Sequence, residues 1–508
     1  MLMLDNKSQI SIYDVVRVAR HGEQVGLTDS AKEAINHSRT FVEKILAENQ
    51  VVYGISTGFG EFSKVTISGS DRELLQRNLI LSHCVGVGDF LPAEAIRGII
   101  LLRANSLARG YSGIRLSTVE KLIELLNKGI TPAVPEKGSV GASGDLAPLS
   151  HMAAVLLGEG FVLVDGKAVP ARPVLDAAGF EPIELAAKEG LALINGTQTM
   201  TSVGALACYD AEQMLKVADI ACGLSLEALQ GLRAAFDPRI AEIRPHQGQI
   251  QCAENMRTLT EGSTIIANYK GGKVQDAYSL RCASQVHGAS REAIRRVKET
   301  LDIEMNSVTD NPIVMADTGE IISGGNFHGQ PMALVMDYLK LAVSEIGNIS
   351  ERRMNRLVDP HLSGGLPAFL IEKGGVNSGH MIAQYTAAAL VSENKVLVHP
   401  ASADSVPTSA NQEDHVSMGT IASRQAREIL GNVQFILAIE LLSAAQGVDF
   451  LAPNRPAKGT GAAYDLIRTV VTHMAEDRLL HPDIEAVHRL VMDESLVKAV
   501  EAAVGELH

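Results

Sequence analysis

Between positions 332 and 358, apolar residues return every three or four places, at Val335, Tyr338/Leu339, Ala342, Ile346, Ile349 and Leu357. Pro360 ends the run. That period predicts one helix about 40 Å long, at roughly 1.5 Å of rise per residue. Similar patterns cover 198–232, 380–397 and 418–445, and their frequent Ala favours close helix–helix packing. A shorter helix is expected after Thr28-Asp29-Ser30, a capping sequence followed by apolar Ala31, Ala34/Ile35, Phe41/Val42 and Ile45/Leu46. Strand signals are few. Phe161–Val164 and 167–169 flank Asp165-Gly166, and Ile313–Met315 and Glu320–Ile322 flank Asp317-Thr318-Gly319, each a small hairpin pattern. The expected fold is mainly α: a long-helix bundle with a smaller N-terminal part and minor β-hairpins. The expected division is residues 1–110, then a long-helix domain over 111–508.

At 508 residues, with 46% hydrophobic and 20% charged, the chain can bury a large core without disulfide or metal staples. Its 45 Lys and Arg against 59 Asp and Glu give a net charge of −14, which repels phosphate backbones. With no Trp and 4% aromatics there are few platforms for stacking bases, so nucleic acid is not an expected partner. The cysteines (84, 208, 222, 252 and 282) are odd in number and lack metal-ligand spacing, and His380, His399 and His415 are scattered, so no metal site is expected. Reduced thiols, no signal-peptide pattern and no apolar run of membrane-spanning length lead to the expectation of a soluble cytoplasmic enzyme with no membrane contact.

The helical patterns are interrupted by Gly-, Ser- and Asn-rich stretches, where function concentrates on a rigid scaffold. The stretch Gly138-Ser-Val-Gly-Ala-Ser-Gly-Asp145 has neither the Gly-Lys-Ser/Thr ending of a phosphate loop nor the Gly-x-Ser-x-Gly frame of a nucleophile elbow. Its plain reading is a glycine turn before a helix starting near Ala147-Pro148. Its sharper reading is chemical. Ala142-Ser143-Gly144 is the tripeptide that cyclises to 4-methylidene-imidazol-5-one (MIO). The Gly144 nitrogen must reach the Ala142 carbonyl carbon, and the missing Cβ at 144 relieves that crowded turn. Loss of the Ser143 hydroxyl as water then leaves an exocyclic methylidene, an electrophile that the standard side chains do not provide.

Several motifs in order extend this reading: YGISTGFG at 53–60, LSHCVGVG at 81–88, GSVGASGDLAPLSH at 138–151 and KEGLALINGTQ at 188–198. VQDAYSLRC at 274–282, SVTDNP at 307–312, ISGGNFHGQP at 322–331 and SANQEDHVSMG at 409–419 follow. Over nearly its whole length the chain resembles the MIO-dependent aromatic amino acid ammonia-lyases, and among them the histidine-specific members.

The resemblance implies a self-formed MIO from Ala142, Ser143 and Gly144, with no dissociable cofactor. It implies that Tyr278 or Tyr53 takes the substrate β-proton, Tyr278 being favoured; sequence leaves the two open. On a helix Tyr278 would neighbour Gln275 and Arg281, each three residues away. Arg281 can hold a carboxylate bidentately, and the resemblance gives it the substrate α-carboxylate. It sets Asn195 beside the MIO and that carboxylate, Phe327 against the ring, and Gln275 and Gln412 on the substrate. Taken singly, each of these has a blander reading: a packing Tyr or Phe, a surface Arg, a turn-capping Asn.

His83 and Glu413 bear on substrate choice. Alone, one is a structural histidine and the other a solvated charge. Together they suit a neutral imidazole, which offers one donor and one acceptor; a phenylalanine pocket would gain nothing from burying them. Cys84 departs from the small Ala or Ser expected after the histidine. The implied reaction is deamination of L-histidine to trans-urocanate and ammonia by a homotetramer whose sites draw on more than one subunit. The alternatives are a tyrosine or phenylalanine ammonia-lyase or aminomutase on the same scaffold, and an inactive binding homologue. A fumarase-like lyase lacks support, since its Gly-Ser-Ser-x-Met-Pro-x-Lys signature is missing.

Overall fold

The computed structural model describes residues 1–48 and 72–508. Tyr53 and the rest of YGISTGFG lie outside the described residues. Among the described residues there are 20 α-helices and four two-stranded sheets, so the mainly α expectation is met. Packing divides the chain into two compact units. The first comprises Met1–Tyr209, Lys298–Asp337 and Pro400–Arg424; the second comprises Asp210–Val297, Tyr338–His399 and Gln425–His508. Residue 110, the expected domain edge, lies inside the first unit.

In the first unit, Thr28 caps the helix Asp29–Ala47 by accepting from the Ala31 N–H at 3.2 Å. That helix buries Ala31, Ile35, Val42 and Ile45 along one face. The helix Ala93–Ala108 is different: from Gly98 to Ala108 every residue is buried. A helix buried all round has to satisfy its polar side chains inside the protein. Arg103 does so by donating to the Asn195 carbonyl at 2.7 Å and to Gln198 Oε1 at 2.9 Å, which ties this helix to the Asn195–Gln198 turn. Both expected hairpins form, with Val164 opposite Lys167 and Met315 opposite Glu320.

The expected long helices span Gln198–Ala228, Gln330–Val358, Met381–Leu397 and Gly419–Asp449. In Gln330–Val358 the buried stripe runs through Met336, Leu339, Val343 and Ile346, while Tyr338, counted with it from sequence, is 46% exposed. Gly419–Asp449 is long and apolar enough to cross a membrane, with mean hydropathy 1.4 over its best window, yet 72% of that window is buried in the protein. Ile429, Val433, Ile436 and Leu437 are fully buried, as in a core helix.

The second unit is braced by charges buried between these helices. Arg353 grips Glu440 bidentately, Nε to Oε1 at 2.6 Å and Nη2 to Oε2 at 2.8 Å, and Ser225 and Ser350 fill the remaining acceptor positions. Arg353 also donates to His287 Nε2 and to the Ser279 carbonyl, each at 3.4 Å. The brace therefore ends on the short helix Tyr278–Arg281.

Candidate active site

The tripeptide lies in a clamped turn. Gly144 pairs with Gly196 as an isolated parallel bridge, and the Asp145 N–H donates to the Gly196 carbonyl at 2.7 Å. Gly144 has φ +75°, and a Cβ there would stand 2.1 Å from the Gly196 oxygen. Only glycine fits that approach. Gly141 is similar, with φ +68° and a would-be Cβ 2.2 Å from Ser417 Oγ. Ala142 is buried against Val416 and Met418, and Met418 N–H donates to the Val140 carbonyl at 3.0 Å. The turn is thus compressed from both sides, with glycine where a side chain would clash and Ser143 left half-buried. These features fit a turn that closes into a five-membered ring.

Asp145 holds the turn in place. It opens the helix Leu146–Leu156 without capping it. Its carboxylate accepts instead from the Thr199 and Met200 N–H groups, both at 2.9 Å, in the first turn of Gln198–Ala228. Ser139 Oγ at 3.0 Å and the Thr420 hydroxyl complete its shell. Burial pushes its pKa up, against the pull of those donors. Asp145 ends the GSVGASGD stretch, and nothing in the local pattern reveals partners 54 and 275 residues away.

Three of the expected residues are tied to this turn in the first unit: Glu413 through Ser143, His83 through Glu413, and Asn195 through the adjacent Gly196. Ser143 Oγ donates to Glu413 Oε1 at 3.4 Å, and Thr408 Oγ1 holds the other Glu413 oxygen at 2.8 Å. The backbone before Glu413 is left-handed at three successive non-glycine residues, Ser409, Ala410 and Asn411. Such strain persists only where the surroundings fix it. Gln412, next to it, is exposed. His83 ends the helix Arg72–His83, with Nδ1 3.0 Å from Ser82 Oγ. Burial lowers its pKa, while the nearby Glu413 charge pulls it up. Asn195 is 2% exposed and directly precedes Gly196. Phe327 is half-buried in the turn before Gln330–Val358, and its neighbour His328 stacks on His415 with ring centroids 5.5 Å apart.

Tyr278, Arg281 and Gln275 belong to the second unit. Arg281 lies over the Tyr278 ring at 4.6 Å, as the helical spacing implied. Gln275 does not share that helix, which starts at Tyr278. Asp276 draws the preceding chain aside, since its buried carboxylate accepts from the Leu232 N–H at 2.6 Å and pairs with Lys273 at 3.1 Å. Tyr278 is 71% exposed, and Arg281 Nε is buried with no partner among the described residues.

One donor group was not foreseen from spacing. In the second unit Asp219, Cys252 and His287 bring their ligand atoms within 4.8 Å of one another. Asp219 is already spent on Asn255 at 2.8 Å, on His287 Nδ1 at 2.7 Å and on Arg291, and Arg353 faces the other His287 nitrogen. Two guanidinium groups around this cluster oppose a further cation, so the arrangement is a hydrogen-bonded brace.

The model of the aromatic amino acid lyase family matches residues 10–469. The histidine ammonia-lyase of Alkaliphilus oremlandii is 56% identical over 503 residues, 99% of each chain. The crystal structure of histidine ammonia-lyase from Trypanosoma cruzi superposes with a TM-score of 0.92 at 45% identity, covering 99% of this chain and 96% of that one. The tyrosine aminomutase of Streptomyces globisporus has a TM-score of 0.95 at 39% identity over 100% of both chains. With the family model spanning most of its length and relatives matching it end to end, the chain belongs to the aromatic amino acid lyase family.

Proposed function

We propose that the chain carries out the non-oxidative deamination of L-histidine to trans-urocanate and ammonia. The observation that carries this reading is the meeting of Ser143 with Glu413, whose charge also acts on His83. A carboxylate and a neutral imidazole beside the reactive turn suit a substrate ring with one N–H donor and one acceptor nitrogen. The full-length likeness to histidine ammonia-lyases supports it. The fold itself is shared with a tyrosine aminomutase, so the side chains of the pocket, not the scaffold, decide the substrate.

The turn Ala142-Ser143-Gly144 would hold the MIO, which supplies an electrophile that activates the substrate amine for departure. The chain's own groups do the rest. Tyr278, or Tyr53, removes the β-proton; the C–H electron pair becomes the new double bond as the Cα–N bond breaks. Arg281, with an unspent Nε, receives the carboxylate. His83 and Glu413 hold the imidazole. Phe327, Gln275 and Gln412 complete the substrate's surroundings.

The enzyme acts as a cytoplasmic homotetramer with shared sites. The exposed Tyr278, and the exposed Leu341, Ile382, Tyr385 and Val396 on the second unit's helices, support burial against other subunits. The five unbridged cysteines suit a reducing compartment. A cofactor-free ultraviolet assay with L-histidine, L-tyrosine and L-phenylalanine tests the substrate. Urocanate from histidine alone is expected; coumarate or cinnamate would overturn the pocket assignment.

A further inference from the structure

The Asn195 amide is oriented by neighbours that leave no choice about which end faces which way. Its Nδ2 lies 3.0 Å from the Asn311 carbonyl oxygen and 3.5 Å from Asp310 Oδ1. Both partners only accept, so the nitrogen must face them; turning the amide over would set its oxygen against two other oxygens. Asp310 is itself fixed. Its Oδ2 takes the Lys188 ammonium at 2.7 Å with both side chains fully buried, and its Oδ1 accepts from the Asn311 N–H at 2.7 Å. Lys188 holds this position from a left-handed backbone, φ +76°, at the start of the helix Glu189–Ile194. Arg103 pins the Asn195 carbonyl. What remains is Asn195 Oδ1, which is buried and has no partner among the described residues, one residue from the Gly196 that clamps Gly144.

A buried carbonyl oxygen without a donor is costly, and a ligand that supplies one recovers that cost. An acceptor cannot hold a carboxylate. A histidine substrate offers two kinds of N–H donor, the ring and the α-amino group, and His83 with Glu413 takes the ring. We infer that Asn195 Oδ1 receives the substrate α-amino group, with Asp310 and Lys188 as positioning residues that keep the amide oxygen turned to it. This rests on the histidine reading above and changes the role that resemblance gave Asn195, from holding the carboxylate to holding the amine. It leaves the carboxylate to Arg281.

Two ligands separate the possibilities. Histamine keeps the ring and amine but lacks the carboxylate; imidazolepropionate keeps the ring and carboxylate but lacks the amine. Their equilibrium affinities are measured by calorimetry on the wild-type holoenzyme, on Asn195→Ala and on Asp310→Asn. Asn195→Ala removes the acceptor together with the Nδ2 donation to Asn311 and Asp310. Asp310→Asn strands Lys188 and is the likelier of the two to unfold, so the first variant keeps the test decisive. Histamine binding is expected to weaken about 10- to 100-fold in Asn195→Ala, with imidazolepropionate changing by less than about twofold. Asp310→Asn should shift the ratio of the two affinities in the same sense. Selective loss of imidazolepropionate would return Asn195 to the carboxylate, and equal loss of both would assign it to the ring or to folding alone; either overturns the inference. If neither ligand binds the wild-type enzyme, the histidine reading falls with it.

Discussion

The Ser143 hydroxyl donates to the Glu413 carboxylate across 3.4 Å although 270 residues separate them in sequence. The turn that would form the electrophile and the residue that would select the substrate are thus direct neighbours. Replacing Glu413 with Gln keeps the shape and removes the charge. Turnover of histidine, as kcat/KM, should fall about 10- to 100-fold, the scale of a charge-assisted hydrogen bond. The mature chain should still be two waters lighter than its sequence, since Glu413 holds the substrate ring and does not close the turn. Steady-state kinetics with intact-mass analysis reads both effects.

Gly144 has no room for a side chain. A Cβ would stand 2.1 Å from the Gly196 oxygen, at φ +75°. Gly144→Ala should therefore open the bridge to Gly196 and prevent ring closure, leaving a chain of the full sequence mass without lyase activity. A variant that still loses two waters would show that the turn closes without this close approach.

Two imidazoles in the second unit, His287 and His380, are fully buried and favour the neutral form. Burial lowers the pKa of His287 and brings that of His380 down to about 3, the latter helped by the nearby Arg468, Arg478 and His473. The unfolded chain returns each towards 6.5, so it binds more protons than the folded chain between those values. Their contribution to stability is complete above about pH 6.5 and is lost as pH falls, for His380 at roughly 1.4 kcal/mol per unit down to about pH 3. The melting temperature should fall between pH 7 and pH 5. His380→Gln, which keeps a partner for Ser443 Oγ, should flatten that fall; an unchanged slope would remove His380 from the account.

Cys84 follows His83 in surroundings that disfavour its thiolate. Burial pushes its pKa up to about 11, and its Sγ donates to the Ile80 carbonyl at 3.3 Å. At pH 8 only about one thiol in a thousand is ionised, and the thiolate is the reactive form. Iodoacetamide should label Cys84 slowly in the native enzyme and quickly after unfolding, as peptide mapping would show.

The helical body was legible because its signal is periodic and local: capping at Thr28, the 3.6-residue stripe over 332–358 and the Asp165-Gly166 turn each lie within one window of sequence. Tyr338 was misplaced on that stripe because Tyr counts as apolar while its ring can stay at the surface. The reactive turn was legible from its glycines and small residues. Its supports were not. Asp145 reaches Thr420, Lys188 reaches Asp310 and Arg103 reaches Asn195, all across long separations and through polar groups that carry no period. Gln275 falls short of the helix that carries Tyr278, which starts only after Ala277, because the buried Asp276 carboxylate redirects the chain just before it.

The central claim is that Ala142-Ser143-Gly144 becomes the electrophile. Mass analysis of the mature protein, with fragmentation of the peptide carrying residues 138–145, tests it most directly. The account predicts a loss of two waters confined to that peptide, and none in Ser143→Ala. A wild-type peptide at its full sequence mass, from protein that still turns over histidine, would contradict it.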